Sequence, residues 1–166
     1  MRIAAWATLL LGIAATLSLV GPALADVAEV HQLIDEGRTF DAFMELRDLA
    51  PTGDAEAQYM LGGMYHWGDA GPADFSKARE WYERAARQGH ADAMIGLAVL
   101  EMQGKGETGN KQEAFTWLAI AATRTQDSKV LAKIAGLRDK LEAELSQAEL
   151  NAALAEAMAF QPKPEQ

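Results

Sequence analysis

The sequence predicts an all-α fold, an α-α superhelix (solenoid) of helix-turn-helix repeats with about eight helices. The first observation behind this prediction is an internal repeat: when the sequence is shifted by 36 positions, many residue types coincide with themselves, without a gap from Ala55 to Ala122. Coinciding pairs include Ala57 and Ala93, Leu61 and Leu97, and Gly68 and Gly104. A fixed period of this size indicates one supersecondary unit stacked on copies of itself. The second observation is that each copy contains two segments with apolar residues at helical spacing, separated by glycines.

Within the first copy, the apolar or small residues of Asp54 to Trp67 recur at helical spacing, and Gly68 is a typical helix stop. Asp74 is a good N-cap for the second helix. Trp81 and its equivalent Trp117 are expected to fill the wider gaps between helices, while alanine and glycine let helices approach closely. The two full repeats are therefore placed at residues 54–89 and 90–125.

Shorter helix pairs are predicted on both sides of the repeats. Residues 26–53 contain two short helical segments and are interpreted as an N-terminal capping helix pair. Residues 126–160 are interpreted as a C-terminal capping pair, since terminal units of a solenoid need a polar outer face. Residues 161–166, which include Pro162 and Pro164, are predicted to form a loose tail.

Two capping boxes are predicted from residues three positions apart. Asn110 with Glu113 opens the second helix of the second repeat, and Ser146 with Glu149 opens the last helix. That last helix is predicted to run to about Phe160. Its inner seam is expected to consist of Leu150, Leu154 and Met158.

Several motifs in the repeats resemble known families. Leu61-Gly62-x2-Tyr65 and Ala78-x3-Tyr82 are similar to the tetratricopeptide signature. The longer period, the glycine-rich turns and Lys77-Ala78-x2-Trp81-x3-Ala85-Ala86-x2-Gly89 resemble its relative, the Sel-one-like repeat (SLR) family. The second copy departs from the pattern, because Ala98 and Glu101 stand where the first copy has glycine and tyrosine. The resemblance implies an α-solenoid that binds protein partners, in a secreted or periplasmic bacterial protein.

Composition and charge exclude several classes of function. The chain has 166 residues and a formal net charge of −9, which argues against nucleic acid or an anionic membrane as partner. It has no cysteine, so disulfides and thiolate metal sites are excluded. His31, His66 and His90 have no further ligand at chelating spacing, and no nucleophile motif is present. The sequence therefore predicts no metal, no cofactor and no enzyme activity.

The first 25 residues have the pattern of a signal peptide. Arg2 supplies the positive charge, residues 3–20 are uncharged, and Ala23-Leu24-Ala25 forms an A-x-A cleavage motif before Asp26. We expect cleavage after Ala25 and a periplasmic or secreted protein that has no membrane contact after processing. The alternative is an uncleaved anchor helix, which the apolar length nearly allows.

The resemblance also implies which residues face a partner, because the first helix of each pair lines the concave face in tetratricopeptide-like stacks. Carried over through Leu61-Gly62-x2-Tyr65, this pattern predicts groove positions on three first helices. They are His31 and Ile34, then Glu56, Tyr59, Gly63, His66 and Trp67, and finally Asp92, Ile95, Val99, Met102 and Gln103. This set is rich in the residue types that anchor interfaces. The alternative is that some of them pack in the core.

These observations predict a non-enzymatic protein–protein interaction module of the cell envelope. It is expected to hold a peptide or helix of a partner in the concave groove. The alternative function is an envelope enzyme or a cell-wall carbohydrate-binding factor. Carboxylates with raised pKa that converge in a pocket would favour this alternative.

Overall fold

The computed structural model describes residues 26–105 and 109–165. These residues form eight α-helices and no strand, which confirms the predicted all-α solenoid. The helices are α1 Val27–Asp35, α2 Thr39–Leu49, α3 Ala55–Trp67, α4 Phe75–Arg87, α5 Ala91–Gln103, α6 Lys111–Ala122, α7 Ser128–Glu142 and α8 Gln147–Ala159. None of them combines the length and the apolar character that crossing a membrane requires. The predicted signal peptide lies outside the described residues.

Local capping interactions start and end the helices of the first repeat where the sequence places them. The Ala57 N–H donates to the Asp54 side chain at 2.7 Å, and the Lys77 N–H donates to the Asp74 side chain at 3.0 Å. Gly68 ends α3 in the left-handed conformation, with φ of 74°. These contacts join residues no more than four positions apart, and for that reason the sequence alone predicts them.

One of the two predicted capping boxes forms completely. At the start of α8, Ser146 and Glu149 each accept the backbone N–H of the other. At the start of α6, the Glu113 N–H donates to the Asn110 side chain at 3.1 Å, but the Asn110 N–H donates to Glu101 at 2.8 Å. The reciprocal half of this box is therefore wrong, because the buried Glu101 carboxylate at the end of α5 takes that donor.

The central gap between the repeats is filled by Tyr82 of α4, which is buried. Its ring lies between Gly62 of α3 and Gly96 of α5. A Cβ atom added at Gly62 would lie 2.6 Å from Tyr82 Cδ1, and one added at Gly96 would lie 2.9 Å from the same ring. Trp81 and Trp117, which were expected to fill the gaps, pack at the margins of the core and stay partly exposed.

The inner seam of α8 differs from the predicted one. Leu154 is exposed and Met158 is 84% exposed, whereas Ala153 is completely buried. Leu150 and Ala157 pack beside Ala153 against the core. The physical reason is that α8 packs closely on α6, and small alanines at the contact allow this approach better than the larger side chains one position further on.

The predicted loose tail is ordered, and we call residues 161–165 the C-terminal strap. The Arg84 guanidinium of α4 donates to both carboxylate oxygens of Glu165, at 2.8 and 2.7 Å. The Gln58 side chain of α3 donates to the same carboxylate at 2.8 Å. The expectation of a loose tail is therefore wrong, because long-range contacts that no local pattern reveals hold the strap on the first repeat.

Candidate functional site

A cavity of about 490 Å³ lies between α1 and α3, and we call it the α1/α3 groove. It forms because α1 packs mainly on α2 and leaves the outer side of α3 uncovered. On α3, the lining residues recur at three- and four-residue spacing, so they form one stripe along the helix. The lining residues are His31, Ile34, Thr39, Glu56, Tyr59, Met60, Gly63, Met64, Trp67 and Asp69.

Six of the predicted groove residues are brought together in this cavity. They are His31 and Ile34 from α1, and Glu56, Tyr59, Gly63 and Trp67 from α3. Trp67 is 67% exposed, and its indole is stacked on the imidazole of the preceding residue with ring centroids 4.4 Å apart. Ile34 is also exposed, so the groove presents apolar surface to solvent.

His66 does not face the groove as predicted, since it is only 3% exposed. The Tyr82 hydroxyl lies 3.4 Å from its Nδ1. Burial lowers the pKa of His66, and the charge of Lys105 lowers this pKa further. A neutral, buried imidazole at this position supports the Trp67 ring from beneath.

The predicted groove residues of the second repeat do not line the α1/α3 groove. Ile95 is 1% exposed and belongs to the core, so its predicted groove position is wrong. Val99 and Met102 are half-buried and pack against the same core, and Asp92 is half-buried. The physical reason is that α5 is flanked by α3, α4 and α6, whereas α3 faces an open gap on the α1 side.

Four lining residues were not predicted from the sequence: Thr39, Met60, Met64 and Asp69. Met60 and Met64 each follow a predicted groove residue and belong to the same helical stripe, so a wider stripe would have included them. Thr39 begins α2, and Asp69 follows the end of α3. No periodic signal connects these two residues to the groove, because only the packing of the helices brings them there.

The α1/α3 groove is negatively charged. Its lining contains the carboxylates of Glu56 and Asp69 and no lysine or arginine. Nε2 of His90 lies 2.8 Å from Glu56. We assign the proton of His90 to Nε2, because its Nδ1 accepts the Ala93 N–H at 3.2 Å. A neutral histidine therefore donates to Glu56 and leaves its negative charge uncompensated.

A second cavity, of about 370 Å³, lies between α6 and α8, and we call it the α6/α8 cavity. Its lining includes Glu113, Glu156, Trp117 and Phe160. The two aromatic rings meet edge to face, with centroids 6.0 Å apart. Burial raises the pKa of Glu113, and the charge of Glu101 raises this pKa further.

The described part of the chain contains no set of side chains placed to bind a metal ion. Across residues 26–105 and 109–165, no three His, Asp or Glu side chains converge where an ion could bind. His31, His66 and His90 lie on α1, on α3 and at the start of α5. The first faces the α1/α3 groove, the second is buried, and the third caps α5.

Comparison with known proteins identifies the repeats. Residues 55–90 and 91–125 each match the model of the Sel1 repeat. Protein SHC1 of Saccharomyces cerevisiae is 29% identical over 114 residues. That match covers 60% of this chain and 22% of SHC1, so the chain spans only a small part of its curated relative.

Two crystal structures are similar in fold. One is c5321, a protective antigen present in uropathogenic Escherichia coli strains that displays an SLR fold. It superposes with a TM-score of 0.72 at 22% identity, over 80% of this chain and 28% of that one. The other is a Sel1 repeat protein from Oxalobacter formigenes, with a TM-score of 0.57 at 28% identity, over 76% of this chain and 53% of that one.

Proposed function

Because this chain contains two Sel1 repeats, which are generally protein-interaction modules, we propose that it is a non-enzymatic adaptor that holds a peptide or helix of a partner protein in the α1/α3 groove. The observation that carries the proposal is Trp67, a largely exposed indole that is stacked on the buried His66. An aromatic side chain held in place loses little conformational freedom on binding, and tryptophan is frequent among the residues that dominate interface energetics.

The shape of the groove supports a side-chain anchor. A cavity of about 490 Å³ is within the range of pockets that bury a small ligand or a few large side chains. Ile34, Met60 and Met64 supply apolar walls, and methionine adapts to partners of different shape. A partner segment would insert apolar side chains here and lie along α3 outside the cavity.

A pull-down with two matched variants tests this proposal. Ile34→Ala with Trp67→Ala removes exposed apolar surface from the groove, and Phe40→Ala with Met44→Ala removes exposed apolar surface from α2, outside the groove lining. We expect the groove variant to lose about 2 kcal/mol or more of binding free energy, and the control to lose little. Both must first show the helical circular dichroism of the wild type. Retention of all partners by the groove variant would place the binding surface elsewhere.

We also propose that the protein works in the bacterial cell envelope. This proposal rests on the signal-like pattern of residues 2–25, with Ala23-Leu24-Ala25 at the expected cleavage position. The acidic surface supports a protein partner there rather than nucleic acid or an anionic membrane, given the net charge of −9.

The second candidate function is a cell-wall carbohydrate-binding factor, which the α6/α8 cavity favours. It combines Trp117 and Phe160 with two carboxylates, of which Glu113 has a raised pKa. Aromatic rings and hydrogen-bond acceptors are the groups that a sugar ring requires. Binding of soluble cell-wall glycan fragments to the wild type, abolished by Trp117→Ala, would support this candidate over the adaptor.

A further inference from the structure

We propose that the partner segment held by the α1/α3 groove is basic, with lysine or arginine flanking a bulky apolar side chain. The inference rests on the proposed function and adds the chemistry of the partner to it. It is carried by three carboxylates that form no ion pair with lysine or arginine within the described residues. Glu56 and Asp69 line the groove, whereas Asp92 lies outside the lining and acts through its charge on Tyr59.

Among the three carboxylates, Glu56 has the best defined contacts. Its only close partner in the described part of the chain is Nε2 of His90, at 2.8 Å. Since Nδ1 of His90 accepts the Ala93 N–H, the imidazole is neutral and donates a hydrogen bond without supplying a positive charge. Glu56 therefore has no cationic partner among the described residues.

The other two carboxylates are also without a cation. Within residues 26–105 and 109–165, neither Asp69 nor Asp92 makes an ion pair with lysine, arginine or histidine. These charges also act on Tyr59, which lines the groove. Burial raises the pKa of Tyr59, and the charges of Asp92 and Glu56 raise this pKa further. The groove thus has a negative potential, which attracts cations and repels acidic segments.

The arrangement defines what the partner must provide. A large apolar side chain would enter between Ile34 and Trp67, where the exposed apolar surface lies. Glu56 and Trp67 stand at opposite ends of the α3 stripe, 11 residues or about 16 Å apart along the helix, with Asp69 just beyond. Cationic side chains on both sides of the apolar residue would therefore each meet a carboxylate.

The test compares two synthetic peptides of about 15 residues. They share apolar residues at helical spacing and differ only in carrying lysine or glutamate at the remaining positions. Fluorescence anisotropy of labelled peptides measures the dissociation constant with the full-length protein. We expect the lysine peptide to bind about tenfold tighter or more at low ionic strength, with the ratio falling at about 0.15 M salt as screening increases.

Charge variants locate the effect. Glu56→Gln with Asp69→Asn should reduce the preference for lysine to about twofold or less, since both charges are lost while the amide oxygen introduced at position 56 still accepts from His90. Glu80→Gln with Asp139→Asn, both exposed and outside the groove, removes the same net charge and should leave the preference unchanged. An equal loss in both variants would show that the total charge attracts the peptide, and would overturn the assignment to the groove.

The remaining outcomes separate this inference from the proposed function. Equal binding of both peptides, or tighter binding of the glutamate peptide, would overturn the basic partner. If neither peptide binds while Ile34→Ala with Trp67→Ala still loses its natural partners, the groove binds protein but the basic chemistry is wrong. If that variant keeps its partners as well, the proposed function fails.

Discussion

At the scale of single residues, the two repeats fill one equivalent position in different ways. Tyr65 of α3 corresponds to Glu101 of α5, 36 positions later. The Tyr65 ring meets Phe43 edge to face at 5.5 Å and has the Lys77 ammonium above it at 5.1 Å. Glu101 is instead buried in an ion pair with Arg79 of α4. The departure from the repeat pattern is therefore a structural substitution: a buried carboxylate here anchors α4 and the start of α6.

The close packing of Gly62 and Gly96 against the Tyr82 ring leads to a prediction for these two glycines. Gly62→Ala or Gly96→Ala would place a methyl group within 3 Å of a buried ring that is enclosed on both faces. Overpacking of this kind costs about 1–3 kcal/mol, and the better helix propensity of alanine returns only about 1 kcal/mol. We expect both variants to lower the free energy of unfolding, measured by urea denaturation.

Gly136 provides the matched control, because it lies inside α7 with nothing within 4 Å of an added Cβ. Gly136→Ala should stabilise the protein by about 0.5–1 kcal/mol through helix propensity alone. The three substitutions are chemically identical, so opposite signs would come from the Tyr82 contact. A stabilising effect of Gly62→Ala would contradict the close packing of Gly62 against the Tyr82 ring.

At the scale of elements, the C-terminal strap connects two successive repeats at their turns. Pro162 lies beside Gly89, and Glu165 lies beside Gly53, which is the equivalent glycine one repeat earlier. Three extended residues span about 10 Å, which matches the distance between neighbouring packed helices. Both glycines have positive φ, 101° for Gly53 and 99° for Gly89, and neither has a side chain that would obstruct the strap.

A double-mutant cycle measures how strongly the strap is held. Arg84→Ala, Glu165→Ala and the double variant should give a coupling free energy of about 1 kcal/mol, the upper end for a partly exposed pair, because the contact is bidentate. The exposed pair Lys111 and Glu144 is the control and should couple by less than about 0.5 kcal/mol. Equal coupling in the two cycles would mean that the strap is held no better than an ordinary surface pair.

The strap contact should also depend on pH. The hydrogen bond from Arg84 holds the pKa of Glu165 below its usual value in the folded protein. A carboxyl group whose pKa is lowered by folding stabilises the folded state above its unfolded pKa, and this contribution disappears as the pH falls through the folded pKa. The coupling between Arg84 and Glu165 is therefore expected at neutral pH and should be lost in acid.

At the scale of the whole molecule, the described residues form two hydrophobic cores of unequal size. The smaller core joins α1, α2 and α3, and the larger one extends from α4 to α8. The α1/α3 groove lies over the smaller core, where the short α1 leaves part of α3 uncovered. The N-terminal pair therefore covers one end of the stack incompletely, and this incomplete cover creates the candidate site.

The proposed location of the whole molecule has a direct test. If residues 1–25 are removed on export, the protein isolated from the periplasm or the medium should begin at Asp26, with 166 − 25 = 141 residues. Intact mass spectrometry measures this. A mass that retains the first 25 residues would contradict cleavage and favour an anchored protein, and retention in the cytoplasm would contradict the envelope location.

The sequence by itself determined the solenoid, the helix pairs and most helix ends. The repeat of 36 residues is visible without coordinates, and the caps at Asp54, Asp74 and Ser146 join residues close in sequence. The sequence also predicted most of the residues that line the α1/α3 groove. Periodicity and capping are local properties, so a single sequence contains the information that they require.

Only the tertiary structure decided which neighbouring positions face the groove and which face the core. Trp67 and His66 are adjacent in sequence, yet one is exposed and the other buried, because the rotation of α3 depends on its contacts with α2 and α4. The same holds for the strap: Glu165 meets Arg84 across 81 positions of sequence. Such contacts follow from how helices of a given length pack together, and no local pattern in the chain specifies them.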